Sequence, residues 1–319
     1  MFTDFISLAE LTGAQIIELL DLADALKAEL KAGKRGQPLA GQTLAMIFEK
    51  PSLRTRVTFE TGMGQLGGHA IMLETGHIRL GERESVPDVA RNLERWVDGI
   101  MARTFSHDTV VQLAEYARIP VINALTDKLH PCQILADAQA LREHKGDFEN
   151  LKVAFVGDGN NVSASWFHFA ARIPLNYTLV CPPGYEGAQD VIAFAQREGA
   201  GEIAVSHDIE AGLADADAVY TDVWASMGQE EESEARAKVF APYQVNARTM
   251  ALAKSDAVFM HCLPAHRGEE VTDEVIDSPR SIVFDQAENR LHAQKAVMLT
   301  LMQRDADGLN RKQRQRGGI

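Results

Sequence analysis

The chain has 319 residues, 45% of them hydrophobic, a length that suggests two domains and a composition that supplies ample cores. A formal net charge of -13 argues against a nucleic-acid-binding surface, so the arginines are expected to act locally, on one anionic small molecule in a pocket. No stretch reaches membrane length, and three cysteines without CxxC spacing fit a reducing compartment and disfavour structural zinc.

In chain order, MFTDFISLAELTGAQIIELLDLADALKAEL carries acids and helical periodicity, not a basic start and an unbroken apolar run, so a cytoplasmic enzyme without a signal peptide is expected. Apolar runs then recur, each followed by a polar or glycine-bearing turn and a helical pattern: TLAMIFEK, HAIMLE, GIMART and PVINAL, then LKVAFVGDG, YTLVCPP, ADAVYTDV, DAVFMHCLP and SIVFDQA. That alternation predicts an α/β protein with parallel sheets. HPCQILADAQALREHKGDFEN ends in a charged, glycine-containing stretch, which puts the domain boundary near Asn150. Two doubly wound domains are expected, 1–150 and 151–285, with a C-terminal helical segment over 286–319 whose tail, GLNRKQRQRGGI, lacks apolar periodicity and is expected to fray.

The polar clusters follow the strands, at the carboxyl edge where open parallel sheets bind ligands, and a cleft between domains is the expected location. In EKPSLRTRVTFETG, Pro51 and Ser52 suit a helix start, and free backbone N–H groups, the Ser52 and Thr55 hydroxyls and Arg54 make a phosphate cradle. The bland alternative is a capped helix with surface-paired arginines. Arg103 directly follows an apolar run and would point into the cleft, unless it is a surface residue. His130 precedes a proline that can start a helix and Gln133 lies a turn on, a pair suited to hold a carbonyl and an amide, although a lone histidine is more often structural.

VAFVGDGNNVSASW resembles a dinucleotide fingerprint through Gly157 and Gly159, but Val162 holds the third glycine's place and LVCPPG offers no acid for a ribose. Asn160 and Asn161 instead suit an amino-acid backbone. Asp222 could receive an ammonium group, and a Ser226-Met227-Gly228 turn follows; the alternative is a solvated acidic loop. His261, Cys262 and His266 close a further strand, where Cys262 is either an activated thiol or an inert small hydrophobe, and metal binding by the histidines is weakly signalled. Arg290 starts the last helix, as a site residue or an exposed helical arginine.

SLRTR, MARTFSH, HPCQ, GDGNN, DVWASMG, HCLPAHRGEE and ENR occur in the order and approximate spacing of the ornithine carbamoyltransferases, and nearly the whole chain resembles that family. The resemblance implies a carbamoyl phosphate domain and an ornithine domain bridged by two helices, in a homotrimer or a multiple of trimers, with no cofactor or metal. It assigns Ser52, Leu53 by its backbone, Arg54, Thr55, Arg103 and Arg290 to the phosphate, and His130 and Gln133 to the carbamoyl group. Asn161, Asp222, Ser226 and Met227 match the ornithine site, and Cys262, with Leu263 beside it, matches the reactive-site cysteine. Where the family commonly has threonine, this chain has Leu53; where it has a glutamine reaching a neighbouring subunit's carbamoyl phosphate, this chain has Arg79, with His77 the alternative occupant.

Overall fold

The computed structural model describes residues 2–34, 36–74, 80–81, 83–225 and 232–316. The chain divides into two compact units, Met1–Ala136 with Asn289–Ile319, and Asp137–Glu288. Both divisions fall inside helices, Pro131–Lys145 and Val283–Met302.

The first unit holds β1 (Thr43–Phe48), β2 (His69–Glu74), β3 (Gly99–Arg103) and β4 (Val121–Leu125), all parallel, in the order β2-β1-β3-β4. Every residue of β3 and β4 is buried, as expected for parallel strands covered on both faces. A hydrophobic core packs Ala45, Ile47, Ile100, Ala102 and Val121 against the helices Val86–Leu93 and His107–Tyr116. The order reverses direction between β1 and β3, a topological switch point that opens a crevice beyond their carboxyl ends.

The second unit holds β5 (Lys152–Val156), β6 (Asn176–Val180), β7 (Ile203–Ser206), β8 (Ala218–Thr221) and β9 (Val258–His261), again all parallel, in the order β7-β6-β5-β8-β9. Its switch point lies between β5 and β8. Among the described residues no helix is long and apolar enough to cross a membrane.

Two expectations need correction. SIVFDQA is not a strand: Ser281 makes only an isolated bridge to Phe259, and Val283 begins the helix Val283–Met302. Ile282 and Val283 are buried, but Phe284 is 71% exposed and the polar Gln286 is buried, a helical and not an alternating pattern. The described part of the tail is not frayed either. Asn310 caps the short helix Arg311–Gln315 through a capping box, and Lys312 is 2% exposed. Lys312 Nζ donates to Asp4 Oδ1 at 2.6 Å and to the Ala114 carbonyl at 2.7 Å, while Arg316 donates to the Glu115 and Ala117 carbonyls. These cations satisfy the carboxyl end of the helix His107–Tyr116, where its dipole favours positive charge.

Asp4 Oδ1 also accepts from Val121 N–H at 2.8 Å, and Phe5 pairs alongside β4 through Phe5 N to Val121 O and Asn123 N to Phe5 O. The tail therefore holds the segment that covers the β4 edge. Lys312→Ala leaves the Asp4 carboxylate without its buried partner and should cost about 3 kcal/mol in denaturant melts, whereas Arg314→Ala, at an exposed pair, should leave the melt nearly unchanged.

Candidate active site

The first cluster forms at the β1/β3 switch point. Ser52 takes an extended backbone (φ -161°, ψ 121°) and its Oγ accepts from Thr55 N–H at 3.2 Å, which starts the helix Leu53–Gln65. Leu53 is 75% exposed, so it contributes no core packing and leaves its backbone as the useful part. Arg54 is half-buried and Thr55 fully buried. Arg103, 5% exposed, ends β3, where the register with β4 shifts between Ala102 and Arg103. Its carbonyl accepts from Glu49 N–H at 2.9 Å, and Glu49 Oε2 accepts from Phe105 N–H at 2.8 Å, so the turns after β1 and β3 are tied together.

His130 lies after β4, and its carbonyl accepts from Gln133 N–H at 3.1 Å as the helix Pro131–Lys145 begins. Arg290, only 2% exposed and inside the helix Val283–Met302 instead of at its start, reaches the same place: Nη1 donates to Gln133 Oε1 at 2.6 Å and Nη2 to Thr55 Oγ1 at 3.2 Å. Burial, then the positive charges of Arg290, Arg103 and Arg54, push the His130 imidazole well below its usual value. The ring is therefore neutral near pH 7, with one N–H to donate, in a region of positive potential. Such a cluster can bind a multivalent anion and polarise an adjacent carbonyl.

The second cluster forms at the β5/β8 switch point. Asn160 caps the helix Asn161–Ala170, its Oδ1 accepting from Val162 and Ser163 N–H at 2.9 and 3.1 Å. Its amide donates to Asp222 Oδ2 at 2.8 Å. Asp222, 7% exposed, directly follows β8, and its Oδ1 accepts from Val223 N–H at 2.8 Å and from the Cys262 thiol at 3.0 Å. Asn161 begins the helix beside them. Of the three thiols Cys262 alone is half-buried. Burial pushes Cys132 and Cys181 up to about 12, which makes those two inert.

A buried polar chain supports Cys262 from behind. His261 Nδ1 accepts from Leu263 N–H at 2.8 Å, so the ring proton lies on Nε2, which faces Glu270 Oε1 at 3.1 Å. Gln286 Oε1 accepts from His261 N–H at 3.0 Å, while its amide donates to Asp137, which also accepts from Tyr220 OH. Leu263 has φ 57°, a left-handed conformation strained for a leucine, and precedes a cis proline. Donor atoms of Asp222, His261 and Cys262 lie within 4.8 Å of one another, as do those of His266, Glu269 and Glu270. Either set could hold a metal ion, but both His261 nitrogens are engaged in hydrogen bonds.

Gly159 explains the broken fingerprint. A Cβ there would meet the Glu186 carbonyl carbon at 2.4 Å and Gly187 N at 2.5 Å, and Gly159 N–H donates to Tyr185 O at 2.9 Å. The glycine admits a neighbouring turn, where a dinucleotide fingerprint would admit a pyrophosphate. Eight of the expected residues thus meet in the first unit (Ser52, Leu53, Arg54, Thr55, Arg103, His130, Gln133 and Arg290) and four in the second (Asn161, Asp222, Cys262 and Leu263). Arg79, its alternative His77, Ser226 and Met227 lie outside the described residues. Pattern reasoning passed over the ion pair of buried Arg236 with half-buried Asp158, beside Asp222, because Arg236 sits in a charged stretch that reads as a solvated face.

The aspartate/ornithine carbamoyltransferase carbamoyl-P binding domain matches residues 3–143, and the Asp/Orn binding domain of the same family matches 149–301. The ornithine carbamoyltransferase of Carboxydothermus hydrogenoformans is 53% identical, over 94% of this chain and 97% of that protein. The solved ornithine carbamoyltransferase from Pyrococcus furiosus is 50% identical with a TM-score of 0.92, over 94% of this chain and 96% of that one. The anabolic ornithine carbamoyltransferase from Campylobacter jejuni is 36% identical with a TM-score of 0.88, over 94% of this chain and 99% of that one. Two domain matches spanning nearly the whole chain, and identity sustained along its length, place this protein in the aspartate/ornithine carbamoyltransferase family.

Proposed function

We propose that the protein transfers the carbamoyl group of carbamoyl phosphate to the δ-amine of L-ornithine, giving L-citrulline and phosphate. The observation that carries this is the set of three arginines acting on one buried, neutral histidine beside a glutamine amide. Two arginines alone would suit many anions, whereas the neutral imidazole and amide suit a carbamoyl carbonyl and NH₂. The ornithine carbamoyltransferases of similar sequence support ornithine as the acceptor.

In this scheme Ser52, the Leu53 backbone, Arg54 and Thr55 hold the phosphate, and Arg103 and Arg290 complete the cationic shell. Arg79 or His77 would serve a neighbouring subunit's site. His130 and Gln133 hold the carbamoyl oxygen and nitrogen. Asn161, Ser226 and Met227 receive the amino-acid end of ornithine, and Asp222 its side-chain amine. Cys262, whose thiol donates to Asp222, passes its own proton to that carboxylate and, as the thiolate, accepts the proton that the amine loses, with Leu263 beside it.

The neutral amine attacks the carbonyl carbon, the carbonyl oxygen gathers negative charge under His130, Arg103 and Thr55, and the C–O bond to phosphate breaks. Each such donor is worth about 3 to 4 kcal/mol. Bringing both substrates into attacking geometry supplies roughly 7 to 11 kcal/mol more. Carbamoyl phosphate is already activated, so the reaction as proposed needs no cofactor. The anabolic direction, toward arginine, is supported by the anabolic C. jejuni neighbour. A homotrimer or multiple of trimers follows from the family resemblance, and three free thiols suit the cytoplasm.

The direct test supplies purified protein with carbamoyl phosphate and, separately, ornithine, putrescine, acetylornithine or aspartate. Citrulline from ornithine alone is expected; product from another acceptor only would overturn the assignment.

His130 generates a pH prediction. Its folded-state value is depressed, so its stabilising contribution is present above about 6.5, the unfolded value, and is lost as pH falls toward the folded value. Between pH 7 and 5 the wild type should lose stability faster than His130→Gln, by up to about 1.4 kcal/mol per pH unit. Equal slopes in denaturant titrations would show that the imidazole titrates alike in the folded and unfolded states, which would contradict a ring held neutral by the fold. Arg103→Met should lower kcat roughly 100-fold or more, with citrulline production as the readout.

A further inference from the structure

Arg236 is 6% exposed, on the helix Ser233–Phe240, and none of the roles above uses it. Its guanidinium serves two turns at once. Nη2 pairs with the Asp158 carboxylate in the turn after β5, and Nε donates to the carbonyl of Trp224, two residues beyond Asp222. The guanidinium lies 5.1 Å from the centre of the Tyr185 ring and 5.4 Å from that of Phe240, and Trp224 stacks on Phe240 at 6.1 Å. Nη1 is 3.6 Å from the exposed Glu232. A planar fork held between rings and bonded on two edges is a task for arginine and not for lysine.

Both turns bear directly on the amine-binding corner. Asp158 lies two residues before Asn160, whose amide holds Asp222 Oδ2, and Trp224 is on the segment that starts with Asp222. Asp158 and Asp222 repel one another: burial and the Asp222 charge both push the Asp158 carboxyl up, and Arg236 opposes them. A second free carboxylate there would compete for the substrate amine and unsettle the Asp222–Cys262 hydrogen bond.

We propose that Arg236 is a positioning and specificity residue for the ornithine side chain: it fixes the spacing of the turns that carry Asn160 and Asp222, and it occupies Asp158 so that Asp222 receives the amine. This rests on the function proposed above. Arg236 does not touch substrate; it acts through Asp158 and the Trp224 carbonyl.

The test is steady-state kinetics of the full-length wild type, Arg236→Gln, Arg236→Lys, Asp158→Asn and the Arg236→Gln/Asp158→Asn pair, each with a melting curve. Arg236→Gln should raise the KM for ornithine about tenfold or more while the KM for carbamoyl phosphate stays within about twofold. Arg236→Lys should recover part of the loss. The double variant should be no worse than Arg236→Gln alone, because both changes break one linkage. A lowered melting temperature with an unchanged ornithine KM, or equal rises in both KM values, would overturn the proposal, and Asp158→Asn, nearly isosteric, keeps the test valid should Arg236→Gln not fold. Failure of the wild type to make citrulline would overturn the function itself; normal wild-type turnover with unaffected variants would overturn only the role of Arg236.

Discussion

Concentrating positive charge where water is scarce is the constraint on which the first unit depends. Arg54, Arg103 and Arg290 all bear on His130, and two of them are at most 5% exposed. Buried ions each carry a desolvation penalty of several kcal/mol, so such an arrangement persists only where surrounding structure fixes it. Three devices do so here: the Ser52 cap, the bulge that ends β3 at Arg103, and the Gln133 and Thr55 acceptors that grip Arg290. A doubly charged phosphate bound there would offset that penalty. Burial, together with this field, keeps His130 neutral, so in the proposed reaction it would polarise a carbonyl as a hydrogen-bond donor.

The second unit solves a complementary problem with the same topology. Its switch point gathers carboxylate, amide and thiol where the first gathers guanidinia. Asp222 is the node, accepting from Asn160, Val223 and Cys262, and each donor arrives from a different strand end or from the backbone itself. Parallel sheets make this possible because every strand delivers its following turn to the same edge. Behind that edge, polar side chains buried among Tyr220, Asp137, Gln286 and His261 hold Cys262 in place. Such networks tolerate little loss, since each member leaves a partner unsatisfied when removed.

Most of this was legible where chemistry follows an apolar run. Arg103 ends β3, and Asp222 and Cys262 directly follow β8 and β9, strands that are mostly apolar, so strand recognition located them. What escaped was held by polar contacts instead of periodicity. The tail reads as hydrophilic because Lys312, Asn310 and Arg316 anchor it, and no hydrophobic pattern encodes an ion pair to Asp4 308 residues away. Arg236 was hidden for the same reason, a buried cation inside a charged stretch. β7 is four residues long at a sheet edge and half-buried, too short a signal to separate from a loop. SIVFDQA misled in the opposite sense, since Ile282 and Val283 bury themselves as a helix begins.

In the proposed reaction the cationic cluster of Arg54, Arg103 and Arg290 receives a planar carbamoyl group carrying a phosphate. Calorimetric titration with a non-hydrolysable phosphonate analogue of carbamoyl phosphate measures this without turnover. The wild type should bind it, and Arg290→Lys, which keeps the charge but loses the fork that engages Gln133 and Thr55, should bind about tenfold more weakly or worse. Equal affinity in the two proteins, or no heat of binding to the wild type, would contradict the assignment of this cluster.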